Sequence, residues 1–156
     1  MDLVRRTIEL ALENVENGGR PFACVVARSI DGEVVAESPN LMVQTHDPTA
    51  HAEIVAVRQA CQRLGTENLE GHETYVLAHP CPICLGALYY CSPDRVVLVS
   101  TRDEYSQYYK DDRKYFELEN FYDEFSKPWQ ERRLPIEHRP NEEGVEVYRR
   151  WRELNS

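Results

Sequence analysis

Two short stretches carry side chains that could do chemistry together, "HAE" at residues 51–53 and "PCPIC" at 80–84. They offer an imidazole at His51, a carboxylate at Glu53, and thiols at Cys81 and Cys84. By spacing alone, C-x-x-C fits a redox pair, a structural metal clip or part of a catalytic metal centre. Ligand arithmetic separates these options. One imidazole and two thiolates make three protein ligands, whereas a structural zinc site fills four positions from protein and a catalytic one leaves the fourth to water. A closed structural site would need His79, the one other ligand-type side chain beside the pair. A redox pair would leave "HAE" without a role. The open arrangement uses one zinc ion per chain, with water or hydroxide in the fourth position and Glu53 beside it to take a proton. Thiolates leave zinc a mild Lewis acid, so a neighbouring carboxylate base is useful near neutral pH. The chemistry this suits is attack on an amidine-like ring carbon, with Glu53 then passing the proton to ring nitrogen and departing ammonia.

The elements around these motifs are readable. Residues 3–17 place Leu3, Ile8, Leu10, Ala11 and Val15 on one apolar face before Gly18-Gly19, which predicts an amphipathic opening helix. "PFACVVARSIDGEVVAES" puts two apolar runs around Asp31-Gly32, a hairpin signal. "DPTAHAEIVAVRQACQRLG" predicts a second helix, N-capped by Asp47 with Pro48 in its first turn and closed by Gly65. "ETYVLAH", "CPICLGALYYC" and "RVVLVS" read as strand, helix and strand, a βαβ unit with Tyr75–Ala78 parallel to Arg95–Ser100. Both ligand motifs then open helices beyond strand ends, where ligands collect in layered α/β folds. After Thr101 the chain turns charged and aromatic: helical pieces broken at Pro128, a short extended "LPIEH", a turn at Pro140-Asn141, and a final helix "EEGVEVYRRWREL".

The linked H-x-E and P-C-x-x-C motifs are the signature of zinc deaminases acting on nucleobases. The chain resembles the cytidine deaminase-like superfamily, and within it the bacterial guanine deaminases, on "GGRPFACVV" (18–26), "DPTAHAEIVAVRQAC" (47–61), "PCPICLGALYY" (80–90) and "KPWQERRLP" (127–135). The resemblance implies a three-layer α/β/α sandwich around a central mixed five-stranded sheet. It also implies that His51, Cys81 and Cys84 hold zinc while Glu53 shuttles protons. Asn40 matches the asparagine that hydrogen-bonds the substrate base. Phe22 and Ala52 are further candidates for the pocket, and Asp111 or Asp112 for an acidic residue that recognises the exocyclic amine. The substrate implied is a free aminated base, guanine first, giving xanthine and ammonia. Isocytosine, cytosine and, more remotely, a tRNA adenosine are alternatives, and a non-enzymatic zinc-stabilised interaction module is the competing class. The guanine-type enzymes are homodimers whose C-terminal segment crosses to the partner, a role that Tyr148 and Trp151 of the last helix would suit. His79 stands where the family usually has glutamate.

Composition sets the outer bounds. The 156 residues suffice for one zinc deaminase domain, with 101–156 as its helical C-terminal region. A formal net charge of -9 disfavours a polyanionic partner such as nucleic acid. The opening residues lack the apolar core of a signal peptide, and no later run would span a membrane. Five cysteines are an odd number and no disulfide framework is needed at this size, so a cytoplasmic location is expected. Cys24, Cys61 and Cys91 read as small buried hydrophobes.

Overall fold

The structure is a computed structural model that describes residues 1–156. They divide into two compact units, 1–110 and 111–156. Within the first, the chain runs α1 (Leu3–Glu16), β1 (Ala23–Arg28), β2 (Val34–Pro39), α2 (Met42–Thr45), α3 (Ala52–Leu64), β3 (His72–Ala78), α4 (Pro82–Cys91), β4 (Arg95–Ser100) and α5 (Arg102–Tyr105). The strands form one mixed sheet in the order β2-β1-β3-β4. β1 pairs antiparallel with β2 and β3, and β3 pairs parallel with β4, as the βαβ reading requires.

The sheet has four strands and not the five implied by resemblance. After β4 the chain turns into α5, opened by a reciprocal Thr101–Glu104 capping box, and no later segment is a strand. The extended segment 134–138 forms no strand, and its Pro135 lacks a ladder donor.

Alternation along β1 builds the layers. Ala23, Val25 and Ala27 join Leu3, Leu10 and Ala11 of α1 in one cluster. Cys24 and Val26 join Ala52, Ala56 and Ala60 of α3, together with Val76 and Cys91, in the other. β1 is therefore covered on both faces, which explains its unbroken apolar run. The three alanines at i, i+4 and i+8 put small side chains along the sheet-facing stripe of α3.

The face of α1 differs from expectation. Its buried stripe is Leu3, Thr7, Leu10, Ala11 and Asn14, while Ile8 and Val15 are 42% and 43% exposed. Spacings of three and four favour polar Thr7 and Asn14 over apolar Ile8 and Val15, which lie one residue off the stripe. Thr7 meets the cost of burial by donating to the Leu3 carbonyl at 2.8 Å. Helix α3 also begins later than expected, after His51. Asp47 instead closes a turn, its Oδ1 accepting from the Thr49 amide at 2.8 Å and the Thr49 hydroxyl at 2.7 Å. Gly65 ends α3 in the left-handed conformation, φ 68°, as expected.

Arg6 of α1 grips Glu37 of β2 with two hydrogen bonds, Nε at 2.9 Å and a terminal nitrogen at 2.5 Å. The Arg6 guanidinium holds the Glu37 carboxyl below its usual range. A depressed carboxyl contributes stability above its unfolded pKa, about 4.3, and that contribution fades as pH falls through the lower folded value. The stability gap between the native protein and a Glu37→Gln variant should therefore be constant near neutral pH and close below about pH 4, read as urea midpoints across a pH series.

The second unit contains two 3₁₀ turns, α6 (Phe121–Ser126) and α7 (Glu142–Leu154). Phe121 packs on Phe116 and Phe125 at centroid distances of 5.1 and 6.1 Å. Asn141 caps α7 by accepting from the Glu143 amide at 2.9 Å, and Tyr148 and Trp151 are exposed. No helix of the chain is long and apolar enough to cross a membrane.

Candidate metal centre and base pocket

Topology gathers Phe22, Asn40, His51 and Cys81 at one end of the strands. β1 starts where β3 ends, because Cys24 lies opposite Val76 in their antiparallel register. Phe22, just before β1, accepts the Asn40 amide on its carbonyl at 2.9 Å, which extends the β1–β2 ladder by one pair. The Leu41 amide in turn donates to the Ala50 carbonyl at 3.0 Å. That bond carries the chain from Asn40 to the threshold of α3, next to His51. Pro80-Cys81 follow the end of β3, so α4 starts at the same end.

His51 and Cys81 are the N-cap residues of α3 and α4 and hold extended backbone, with ψ of 149° and 169°. Glu53 lies in the first turn of α3, and Pro82 occupies the first turn of α4, where its missing amide costs nothing. His51 Nδ1 is 3.3 Å from the Cys81 sulfur and 3.4 Å from that of Cys84, and all three ligand atoms lie within 4.8 Å of one another. A tetrahedral zinc with ordinary Zn–S and Zn–N bonds separates such atoms by roughly 3.5 Å, so the cluster has the dimensions and donor types zinc requires. His79 is exposed and outside the cluster, its amide bonded to the Ser100 carbonyl at 3.1 Å. That geometry gives no support to a closed four-ligand site.

The electrostatics follow from burial and mutual contact. A hydrogen bond from Cys84, assisted by His51, pulls the Cys81 thiol down to about 4, so Cys81 is the readier thiolate. Cys84, 1% exposed, is pushed up by donating to Cys81 and by burial. Glu53 is 6% exposed, and desolvation raises its carboxyl above the usual value, opposed by a hydrogen bond from the Cys84 thiol at 3.1 Å. A carboxyl so placed is suited to both accepting and returning a proton.

The remaining candidates occupy four different environments. Asn40 is 2% exposed, and its Oδ1 accepts from the Met42 amide at 3.0 Å. Phe22 is half-buried and meets Tyr109 and Tyr105 edge-on at 5.0 and 6.3 Å. Ala52 is fully buried, with its side chain in the α3-facing core cluster. Asp111 and Asp112 belong to the second unit, where Asp111 pairs with Arg113 at 2.7 Å and Asp112 is exposed. Cys24 and Cys91 lie in the core as expected, and Cys61 is half-buried against it.

Asn14 was not among the sequence candidates. It is 5% exposed and bonded to Asn40, Arg20 and Gln44. Its signal is present in the 3-7-10-14 spacing of α1, which carries a polar residue at both Thr7 and Asn14 on an otherwise apolar stripe.

Residues 1–100 match the cytidine and deoxycytidylate deaminase zinc-binding region. The chain is 35% identical over 150 residues to the guanine deaminase of Bacillus subtilis (strain 168), covering 96% of this chain and 91% of that one. The crystal structure of the Bacillus subtilis guanine deaminase superposes with a TM-score of 0.84 at 34% identity, again over 96% and 91% of the two chains. A guanine deaminase structure from Nitrosomonas europaea gives a TM-score of 0.65 at 28% identity over 69% of this chain and 62% of that one. The tRNA-specific adenosine deaminase of Aquifex aeolicus (strain VF5) is 30% identical over 132 residues, covering 85% and 80%.

Proposed function

We propose that this chain, which belongs to the cytidine and deoxycytidylate deaminase zinc-binding family, is a zinc-dependent hydrolase that converts free guanine to xanthine and ammonia. The observation that carries the chemistry is the compact His51, Cys81 and Cys84 cluster with buried Glu53 against it. Extended similarity to guanine deaminases favours the base.

His51, Cys81 and Cys84 would hold the zinc, which would supply Lewis-acid activation of water near neutral pH. Glu53 accepts one water proton on a carboxylate oxygen and delivers it to ring N3 of guanine, then takes the second proton from the new C2 hydroxyl and passes it to the leaving amine. The water oxygen becomes the new C2 carbonyl, the C2–N bond breaks, and ammonia departs, which balances guanine plus water against xanthine plus ammonia. Asn40 orients the base through its amide, Phe22 forms part of the pocket wall, and Ala52 offers the first backbone amide of α3. An acidic residue at Asp111 or Asp112 recognises the exocyclic amine. A cytoplasmic homodimer in which α7 completes the partner's pocket fits the exposed Tyr148 and Trp151.

The tRNA reading draws on the Aquifex relative, but a net charge of -9 opposes binding to a phosphate backbone. An ammonia-release panel of guanine, isocytosine, cytosine, adenine, their nucleosides and an anticodon stem-loop separates the readings. Turnover should be confined to guanine among these. Turnover of the stem-loop with guanine untouched would overturn the substrate assignment and keep the zinc chemistry.

A further inference from the structure

We infer that Asn14, on the far side of Asn40 from the metal ligands in sequence, is a positioning residue that sets the base-binding amide of Asn40. This rests on Asn40 contacting the base, as proposed above. Helix α1 takes no part in the chemistry, yet its buried face carries this one amide, and both of its N–H donors and its oxygen are engaged. Nδ2 donates to the Asn40 carbonyl at 2.9 Å and to the Arg20 carbonyl at 2.8 Å, and Oδ1 accepts from Gln44 Nε2 at 2.7 Å. The three partners lie in the turn after α1, at the end of β2 and in α2. Asn14 thus joins the three segments that flank Asn40.

Asn40 itself is anchored at two points. Asn14 holds its backbone carbonyl, and the Met42 amide donates to its side-chain Oδ1 at 3.0 Å. Because the Met42 group can only donate, the oxygen of the Asn40 amide is the atom committed there, and Nδ2 is the end left to meet an acceptor on a base. Moving the carbonyl moves the Cα and swings Nδ2. Gly19 reinforces the same point, since a Cβ there would lie 2.4 to 2.5 Å from the Asn14 amide atoms. The backbone closes over Asn14 and holds its side chain in one place.

Asn14→Asp keeps the shape but removes both donors and sets carboxylate oxygens against two carbonyls. In zinc-loaded protein, assayed well below each variant's thermal midpoint, KM for guanine should rise about tenfold while kcat changes by less than about threefold. Gly19→Ala, which displaces Asn14 without replacing it, should raise KM in the same sense, and serves if Asn14→Asp does not fold. Asn40→Ala should also raise KM, and adding Asn14→Asp to it should produce little further change, because both act through one amide. A merely structural Asn14 would lower the thermal midpoint and leave KM unchanged in both variants, which would overturn the inference. If Asn40→Ala leaves KM unchanged, the base contact assigned to Asn40 fails and the inference fails with it. If Asn40→Ala raises KM and neither Asn14→Asp nor Gly19→Ala does, the inference alone fails.

Discussion

Glu53→Gln is expected to keep the fold and the zinc and to lower kcat by about 10²–10⁴-fold, the range spanned by positioned general acid–base groups. Glutamine preserves the size and one acceptor oxygen of the side chain but cannot take the proton from water. The environment also predicts what the change does to stability. Glu53 is 6% exposed, and burial already disfavours its charged form. A neutral amide of the same shape therefore removes a desolvation cost, and the thermal midpoint should hold or rise. Zinc content, thermal denaturation and steady-state ammonia release on one preparation read all three effects. An active Glu53→Gln protein would remove Glu53 from proton transfer.

Cys84→Ser carries the second large effect. Cys84 is 1% exposed, and its sulfur is 3.4 Å from His51 Nδ1, within the ligand cluster. A hydroxyl is a harder, shorter and rarely ionised donor, so the variant loses one of three protein ligands. Its zinc affinity should fall by more than the roughly 10–100-fold typical of changes in residues that only support a ligand. Competition with a chromogenic chelator measures this. His79→Ala provides the contrast and should leave zinc affinity unchanged, since His79 is exposed and outside the cluster. Loss of zinc from His79→Ala would instead indicate a closed structural site. The same titration addresses the interaction-module alternative, in which metal removal unfolds the protein. Here α1 and α3 cover opposite faces of the sheet in two separate apolar clusters, so the metal-free chain should keep its secondary structure.

The centre was legible because its chemistry is local. His51 and Glu53 are two residues apart and Cys81 and Cys84 three apart, and each pair sits where a helix begins. Such positions depend on short-range capping and need no knowledge of the sheet. The hairpin at Asp31-Gly32 and the parallel β3–β4 pair were readable for the same reason. The face of α1 was less so. Counting apolar residues favoured Ile8 and Val15, whereas the packed stripe buries Thr7 and Asn14, whose bonding partners lie on distant segments. Asn14 becomes intelligible only once Asn40 and Gln44 are beside it, 26 and 30 residues away. The fifth strand implied by resemblance has no counterpart, since α5 follows β4 and no later segment is a strand.

Guanine hydrolysis at the His51, Cys81, Cys84 centre, with Glu53 as the proposed proton carrier, is tested most directly by simultaneous measurement of xanthine and ammonia formed from guanine by native protein with its zinc content determined. Equal amounts of the two products, abolished by chelation and restored by zinc, are predicted. A fully zinc-loaded, folded protein that forms neither product would contradict it.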